Sequence, residues 1–247
     1  MANIVRIAHR GASGSFPENT RLAVEKALEA RADMVELDCQ LSSDGHVVIF
    51  HDERLVRITG TGGAVNRMSL EQLKRLDVGA WRQSAFKGER ILTLEEVVTV
   101  VGGQADLCLD IKQYPGSPPG IELKLLFVLS HYDYLDRTIF SSFDSGSLRR
   151  VRELAPEARV GVIYGADSEE NPFVVAEEVE AASLHVQKEL ATGEFLDKTW
   201  ELGLDAFIWT VNELSDIENF TSLGVQGIMT DFPERFWKLA DKPMRRF

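Results

Sequence analysis

The chain has 247 residues, of which 44% are hydrophobic, 27% charged and 9% aromatic; that balance belongs to a folded protein with a sizeable core and excludes disordered and fibrous classes. Asp and Glu outnumber Lys and Arg by 39 to 27, a formal net charge of −12, which repels nucleic-acid backbones and anionic bilayers across most of the surface. A negatively charged small substrate therefore needs a local cationic or metal-bearing site.

The amino-terminal MANIVRIAHRG carries no secretory pattern, and no apolar run reaches the roughly 18 residues of a spanning helix. A cytoplasmic protein with no membrane insertion is expected, with the carboxy-terminal KPMRRF a short solvated basic end. Cys39 and Cys108 are too few for a disulfide scaffold and are expected to be reduced.

In chain order, an apolar run at 4–9 leads to a helix over 20–30, for which Asn19 is the expected cap, and then to a second run at 34–41. The short extended stretch HVVIF ends at His51-Asp52. The segment 52–90 lacks a strong buried strand, contains GTGG at 60–63, and reads as an insertion lying over one end of the fold. Thr93 and Glu96 have capping-box spacing at the start of a helix over 93–101. Further runs follow at 105–111, 138–143, 159–164, 183–186, 206–211 and 227–230, separated by helical patterns at 120–131, 145–154, 172–180, 193–202 and 213–222.

Eight strand-like runs in 247 residues allow about 31 residues per unit, close to one βα unit, and predict an α/β chain folded as a closed (β/α)8 TIM barrel. An open doubly wound sheet of five or six strands leaves too much chain unexplained.

Barrel active sites lie at the C-terminal strand ends, which directs attention to His9-Arg10-Gly11, Glu36-Leu37-Asp38, His51-Asp52 and Asp110-Ile111-Lys112. Strand side chains alternate, so Glu36 and Asp38 share a face, as do Asp110 and Lys112. If both pairs face inward, three carboxylates converge and call for a cation. An all-carboxylate set suits one divalent ion, Mg²⁺ or Ca²⁺, better than Zn²⁺. The plain alternative is a set of solvated strand ends or internal ion pairs. His9 and His51 are candidate general acid and base, whereas His46, His131 and His185 are read as packed or hydrogen-bonded. Arg10 and Lys112 are candidate phosphate ligands, unless they merely pair with Glu18 or Asp52. Three carboxylates, one divalent ion and two cationic side chains sum to about +1, which a singly charged phosphodiester neutralises. The parity argument also turns Cys39 outward and Cys108 inward.

The stretch HRGASGSFPENTRLAVEKALEARADMVELDCQLSSDGHVVIFHD resembles the signature of the glycerophosphodiester phosphodiesterase family. His9-Arg10-Gly11, Pro17-Glu18-Asn19-Thr20, Glu36-x-Asp38, Asp44-Gly45 and His51-Asp52 match in order, with later echoes at Leu94-Glu95-Glu96, Ser142-Phe143, Trp209-Thr210-Val211-Asn212 and Thr230-Asp231-x-Pro233. The resemblance implies a TIM barrel with a small inserted subdomain that hydrolyses glycerophosphodiesters to glycerol 3-phosphate and an alcohol. It further implies His9 and His51 as the acid/base pair, Glu36 and Asp38 as metal ligands, Arg10 and Lys112 as phosphate contacts, and Trp209 as a wall of the substrate pocket. Two departures stand out: Asp110-Ile111-Lys112 where the family has Glu-x-Lys, and Arg57-Ile58-Thr59 where it has Arg-Thr-Thr. The competing readings are a Schiff-base aldolase using Lys112 and a noncatalytic phosphodiester-binding barrel.

Overall fold

The computed structural model describes residues 4–240; the KPMRRF end lies outside them. Eight parallel strands form the barrel: β1 (Val5–His9), β2 (Met34–Leu41), β4 (Asp106–Ile111), β5 (Thr138–Ser142), β6 (Arg159–Tyr164), β7 (Ser183–Gln187), β8 (Asp205–Trp209) and β9 (Gly227–Thr230). Each pairs with its neighbour in that order, and β1 closes the ring by pairing with both β9 and β2. The eight apolar runs of the sequence are these strands.

The extended stretch HVVIF, not counted among the eight runs, contains β3 (Val47–Ile49), a three-residue strand antiparallel to the far end of β2, with Cys39 opposite Ile49 and Leu41 opposite Val47. Asp44-Gly45, with Gly45 at φ +81°, makes the turn between the two strands. Every residue of β2 is buried, because β1, β3 and β4 flank it while helices cover its outer face.

Helices α1 (Arg21–Glu29), α4 (Leu94–Val101), α5 (Ile121–His131), α6 (Ser145–Leu154), α7 (Pro172–Glu178), α8 (Gly193–Glu201) and α9 (Leu214–Leu223) alternate with the strands, and α10 (Arg235–Ala240) follows the last. The capping box at α4 forms as the spacing predicts: Glu96 N–H donates to Thr93 Oγ1, and Thr93 N–H to the Glu96 carboxylate. At α1 the expectation fails. Thr20, not Asn19, is the cap and accepts from Ala23 N–H at 3.2 Å, while Asn19 adopts φ +59° and turns its amide into the barrel.

Side-chain parity divides the core in two. Ile7, Met34, Cys108, Ile139, Phe207 and Met229 fill the barrel interior, while Val35, Leu37, Cys39, Leu107, Leu109, Val160 and Ile208 pack outward against the helices. Both cysteines are free and buried, Cys39 outward and Cys108 inward, as the alternation requires. Among the interior side chains is His185, stacked on Phe207 and hydrogen-bonded to Ser183 Oγ at 2.9 Å. It fits because β6 supplies Gly161, where a Cβ would lie 2.5 Å from His185 Nε2.

Between β3 and α4 lie two short helices, α2 (Val56–Thr59) and α3 (Leu70–Lys74). They pack with Val48, Phe50, Leu55, Ile58, Val65, Leu73, Val78 and Ile91 into a separate small apolar cluster. This segment contacts the loop after β1: the Phe16 and Phe86 rings are 5.8 Å apart, and Arg82 donates to the Gly14 carbonyl.

Candidate active site

Strand register assembles the site. His9 at the end of β1 is the lateral partner of Glu36 on β2, and Asp38, two residues further along, is the partner of Asp110 on β4. Parallel pairing puts partners on one face, so all four side chains project to the interior at one end. Oxygens of Glu36, Asp38 and Asp110 lie within 4.8 Å of one another, the one group of metal-ligand spacing among the described residues.

The three acids are at most 5% exposed, and their charges are incompletely balanced. Lys112 Nζ is 2.5 Å from Asp110 and 3.1 Å from Asp38; Arg10 Nε is 3.2 Å from Asp38. Of the plain alternatives, the Arg10–Glu18 pairing is realised, at 3.0 Å, whereas Asp52 pairs with His51 and Arg57 and with neither Arg10 nor Lys112, and Lys112 binds the two aspartates instead. Burial tends to raise Asp38, but Arg10, Lys112, His51 and the Asn19 amide hold it below the usual carboxylate range. At Glu36, burial and the Asp38 charge outweigh the opposing pull of His9 and Arg10 and push it up to about 7. Burial likewise raises Asp110. Two of the buried side-chain atoms that lack a hydrogen-bond partner, Asp110 Oδ1 and Arg10 Nε, belong to this site. Asp110 Oδ1, an acceptor with no donor among neighbouring anions, is complementary to an added cation, while Arg10 Nε already faces Asp38 as an ion-pair partner.

The loop after β1 is built for close approach. Arg10 adopts φ +53°, which brings its backbone N–H to Glu36 Oε2 at 2.9 Å. Gly11 follows at φ +77°, and a Cβ there would lie 2.6 Å from the Ala23 carbonyl carbon of α1, so the third motif position admits only glycine. Asn19 Nδ2 donates to Asp38 Oδ2 at 2.8 Å, fixing the carboxylate.

Both histidines are oriented through Nδ1. His9 Nδ1 is 2.6 Å from Asp231 Oδ1, and His51 Nδ1 is 2.7 Å from Asp52 Oδ1. Burial tends to raise Asp231, but His9, Asn212 and Ser13 hold it down at about 2, so it accepts from an Nδ1–H and leaves Nε2 as the exchangeable nitrogen. Asp52 is likewise held low against burial, by Arg57 and His51. Burial and the cations Arg10 and Lys112 depress the His51 pKa against the pull of Asp38 and Asp52.

A cavity of about 170 Å³ at this barrel end is lined by all eight residues singled out in the sequence, His9, Arg10, Glu36, Asp38, His51, Asp110, Lys112 and Trp209, together with Phe143, His185 and others. Trp209 donates to the His185 carbonyl at 2.9 Å and meets Phe143 edge-on at 5.8 Å, forming an apolar wall opposite the charged one. The sequence reading gave no place in the site to Asp231 or Phe143, and it read Asn19 only as a helix cap. Their motif fragments were visible, but a hydrogen bond spanning 222 residues, as between His9 and Asp231, has no local signature.

The sequence profile of the Glycerophosphoryl diester phosphodiesterase family matches residues 9–235. A glycerophosphodiester phosphodiesterase of Caldanaerobacter subterraneus is 40% identical over 237 residues, 96% of this chain and 97% of that protein. One from Bacillus altitudinis is 35% identical, covering 95% and 97%. Among solved structures, an Oleispira antarctica phosphodiesterase in complex with the product sn-glycerol-3-phosphate superposes with TM-score 0.88 at 29% identity, covering 96% of both chains. The glycerophosphodiester phosphodiesterase of Agrobacterium tumefaciens gives 0.83 at 26%, covering 96% of this chain and 99% of that one. Fold, motif order and these matches agree, and the chain belongs to the glycerophosphoryl diester phosphodiesterase family, as an enzyme of that class of phosphodiester hydrolases.

Proposed function

We propose that the enzyme converts a glycerophosphodiester and water to glycerol 3-phosphate and an alcohol, using a divalent cation at Glu36, Asp38 and Asp110 with His9 and His51 as the proton-transfer pair. The observation that carries this reading is the cavity in which two carboxylate-oriented imidazoles face three buried carboxylates and two cations. The product of the Oleispira relative supports glycerol 3-phosphate as the product here.

The donor set fits a hard cation. It is all oxygen, one of its atoms has no hydrogen-bond partner, and its burial makes the carboxylates' own charge costly. The cation, Mg²⁺ or Ca²⁺, supplies Lewis-acid neutralisation of the phosphate charge when bound.

The remaining work falls to side chains. Arg10 and Lys112 hold the phosphate by charge and so favour the extra negative charge that develops during attack. One imidazole takes a proton from the attacking oxygen at Nε2. The other gives a proton to the alkoxide as its P–O bond breaks, since an unprotonated alkoxide is a poor leaving group. Trp209 and Phe143 cover the carbon skeleton of the substrate. The segment 52–90 covers the mouth, a reading supported by its contacts with the loop after β1.

A Schiff-base role for Lys112 is disfavoured. Burial tends to lower its pKa, but Asp110 and Asp38 overcome this and raise it above the ordinary lysine value, whereas an imine-forming amine must be neutral. A noncatalytic binder leaves the two oriented histidines without purpose.

The test is incubation of the purified protein with Mg²⁺ or Ca²⁺ and a simple glycerophosphodiester. Release of glycerol 3-phosphate and free alcohol supports the reading. Tight binding without turnover, or cleavage to glycerol and a phosphorylated alcohol, refutes it.

A further inference from the structure

We propose that Arg57, from the segment between β3 and α4, is a positioning residue that holds the phosphate-binding arginine and one catalytic histidine in register. This inference rests on the roles given above to Arg10 and His51.

Its guanidinium makes four hydrogen bonds to two carboxylates. Nε and Nη2 donate to Asp52 at 2.6 and 2.9 Å, and Nη1 and Nη2 donate to Glu18 at 3.0 and 2.7 Å. Each carboxylate is already engaged by a group in the cavity wall. Glu18 Oε1 accepts from Arg10 at 3.0 Å, and Asp52 Oδ1 accepts from His51 Nδ1 at 2.7 Å. Arg57 is therefore the node of one continuous path, Arg10–Glu18–Arg57–Asp52–His51, that joins the loop after β1 to the loop after β3.

An ordinary surface ion pair contributes little, because water screens it and two long side chains must be ordered. This arrangement differs in two respects. The side chains of Glu18 and Asp52 are only 14% and 23% exposed, and a planar guanidinium meeting both carboxylates with paired bonds fixes direction as well as distance. Removing it leaves two partly buried carboxylates free to turn toward Arg10 and His51 in other geometries. The segment also holds the guanidinium from its other side, with the Trp81 ring centroid 5.7 Å away. The neighbouring Ile58 is buried in the apolar cluster of that segment, so α2 anchors on one face and presents Arg57 on the other.

Arg57 itself does not line the cavity, so its action is indirect. The charged groups that face His51 are Asp52 in its own loop, Asp38 from β2, and Arg10 and Lys112 from the ends of β1 and β4. Of these, Asp52 and Arg10 connect to Arg57.

The test is a mutant cycle read in kcat, KM and pH profile. Misplacement of a reacting group by an ångström costs on the order of 100-fold; Arg57→Gln is accordingly expected to lower kcat by roughly 10- to 100-fold, with Arg57→Lys recovering only part, since one ammonium cannot span both carboxylates. The limb of the pH profile that vanishes in His51→Ala should be the one that moves. In a background of Glu18→Gln with Asp52→Asn, the Arg57→Gln penalty should disappear, whereas in Asp231→Asn, which acts on His9, it should persist in full. A penalty of equal size in every background, or a loss of thermal stability with kcat and pH profile unchanged, overturns the proposal. If Arg57→Gln does not fold, the Lys variant carries the same cycle. Normal turnover by His51→Ala would instead refute the underlying site reading, so the two failures are distinguishable.

Discussion

Replacing His185 should change how stability responds to acid, and the sign and size follow from its position. Its imidazole lies inside the barrel beneath the site, stacked on Phe207 and 1% exposed, and burial depresses its pKa to about 3. In the unfolded chain a histidine titrates near ~6.5. Above that pH both states are neutral and His185 has no pH-linked effect. As pH falls from 6.5 toward 3, the unfolded chain takes up a proton that the folded barrel excludes, and stability is lost. At pH 5 the loss is about 1.5 pH units times ~1.36 kcal/mol, or about 2 kcal/mol. Denaturant unfolding at pH 7.5 and pH 5.0 should therefore show the wild type losing about 2 kcal/mol more than His185→Gln over that interval, whatever the offset between the proteins at pH 7.5. Parallel losses in the two proteins would show that His185 is protonated in the fold, and would refute its assignment as a neutral core histidine.

Alanine at His9 or His51 should lower turnover by roughly 10² to 10⁴ with little change in metal affinity. On a nitrophenyl phosphodiester that keeps its glycerol moiety, the variant lacking the general acid should be partly rescued and the other not; equal losses on both substrates would remove the proton-transfer assignment. Asp231→Asn, which takes the charged acceptor from His9 Nδ1, should lower kcat by roughly 10² or more while leaving the fold intact by circular dichroism. Unchanged kcat would show that the 2.6 Å contact does not orient the ring for catalysis. Gly11→Ala, with φ +77° and an α1 carbonyl in the way, should cost about 1–3 kcal/mol and lower the melting temperature by several degrees. A thermal melt superimposable on the wild type would contradict that strain.

The parts of this molecule legible in the sequence are those governed by local periodicity. The eight parallel strands follow from β-branched runs, and the convergence of Glu36, Asp38 and Asp110 follows from alternation along β2 and β4. The inward and outward cysteines follow from the same rule. Strand β3 is too short, at three residues, to carry a period, and it reads only as an extended stretch. Asn19 and Thr20 are both good capping residues side by side, and what separates them is a tertiary demand: the buried Asp38 recruits the Asn19 amide and leaves the cap to Thr20. Asp231 acquires its task from His9, 222 residues away, and Arg57 links nearby Asp52 to Glu18, 39 residues away, pairings that composition and spacing do not encode.

The central claim is that the buried carboxylate triad holds a divalent cation on which hydrolysis depends, and titration of metal-stripped protein tests it most directly. One Mg²⁺ or Ca²⁺ per chain should bind by calorimetry. Turnover of a glycerophosphodiester should be absent from the stripped protein and return with the ion, while Asp38→Ala should neither bind the ion nor recover. Full turnover by the exhaustively chelated protein, or normal metal binding by Asp38→Ala, would contradict the account.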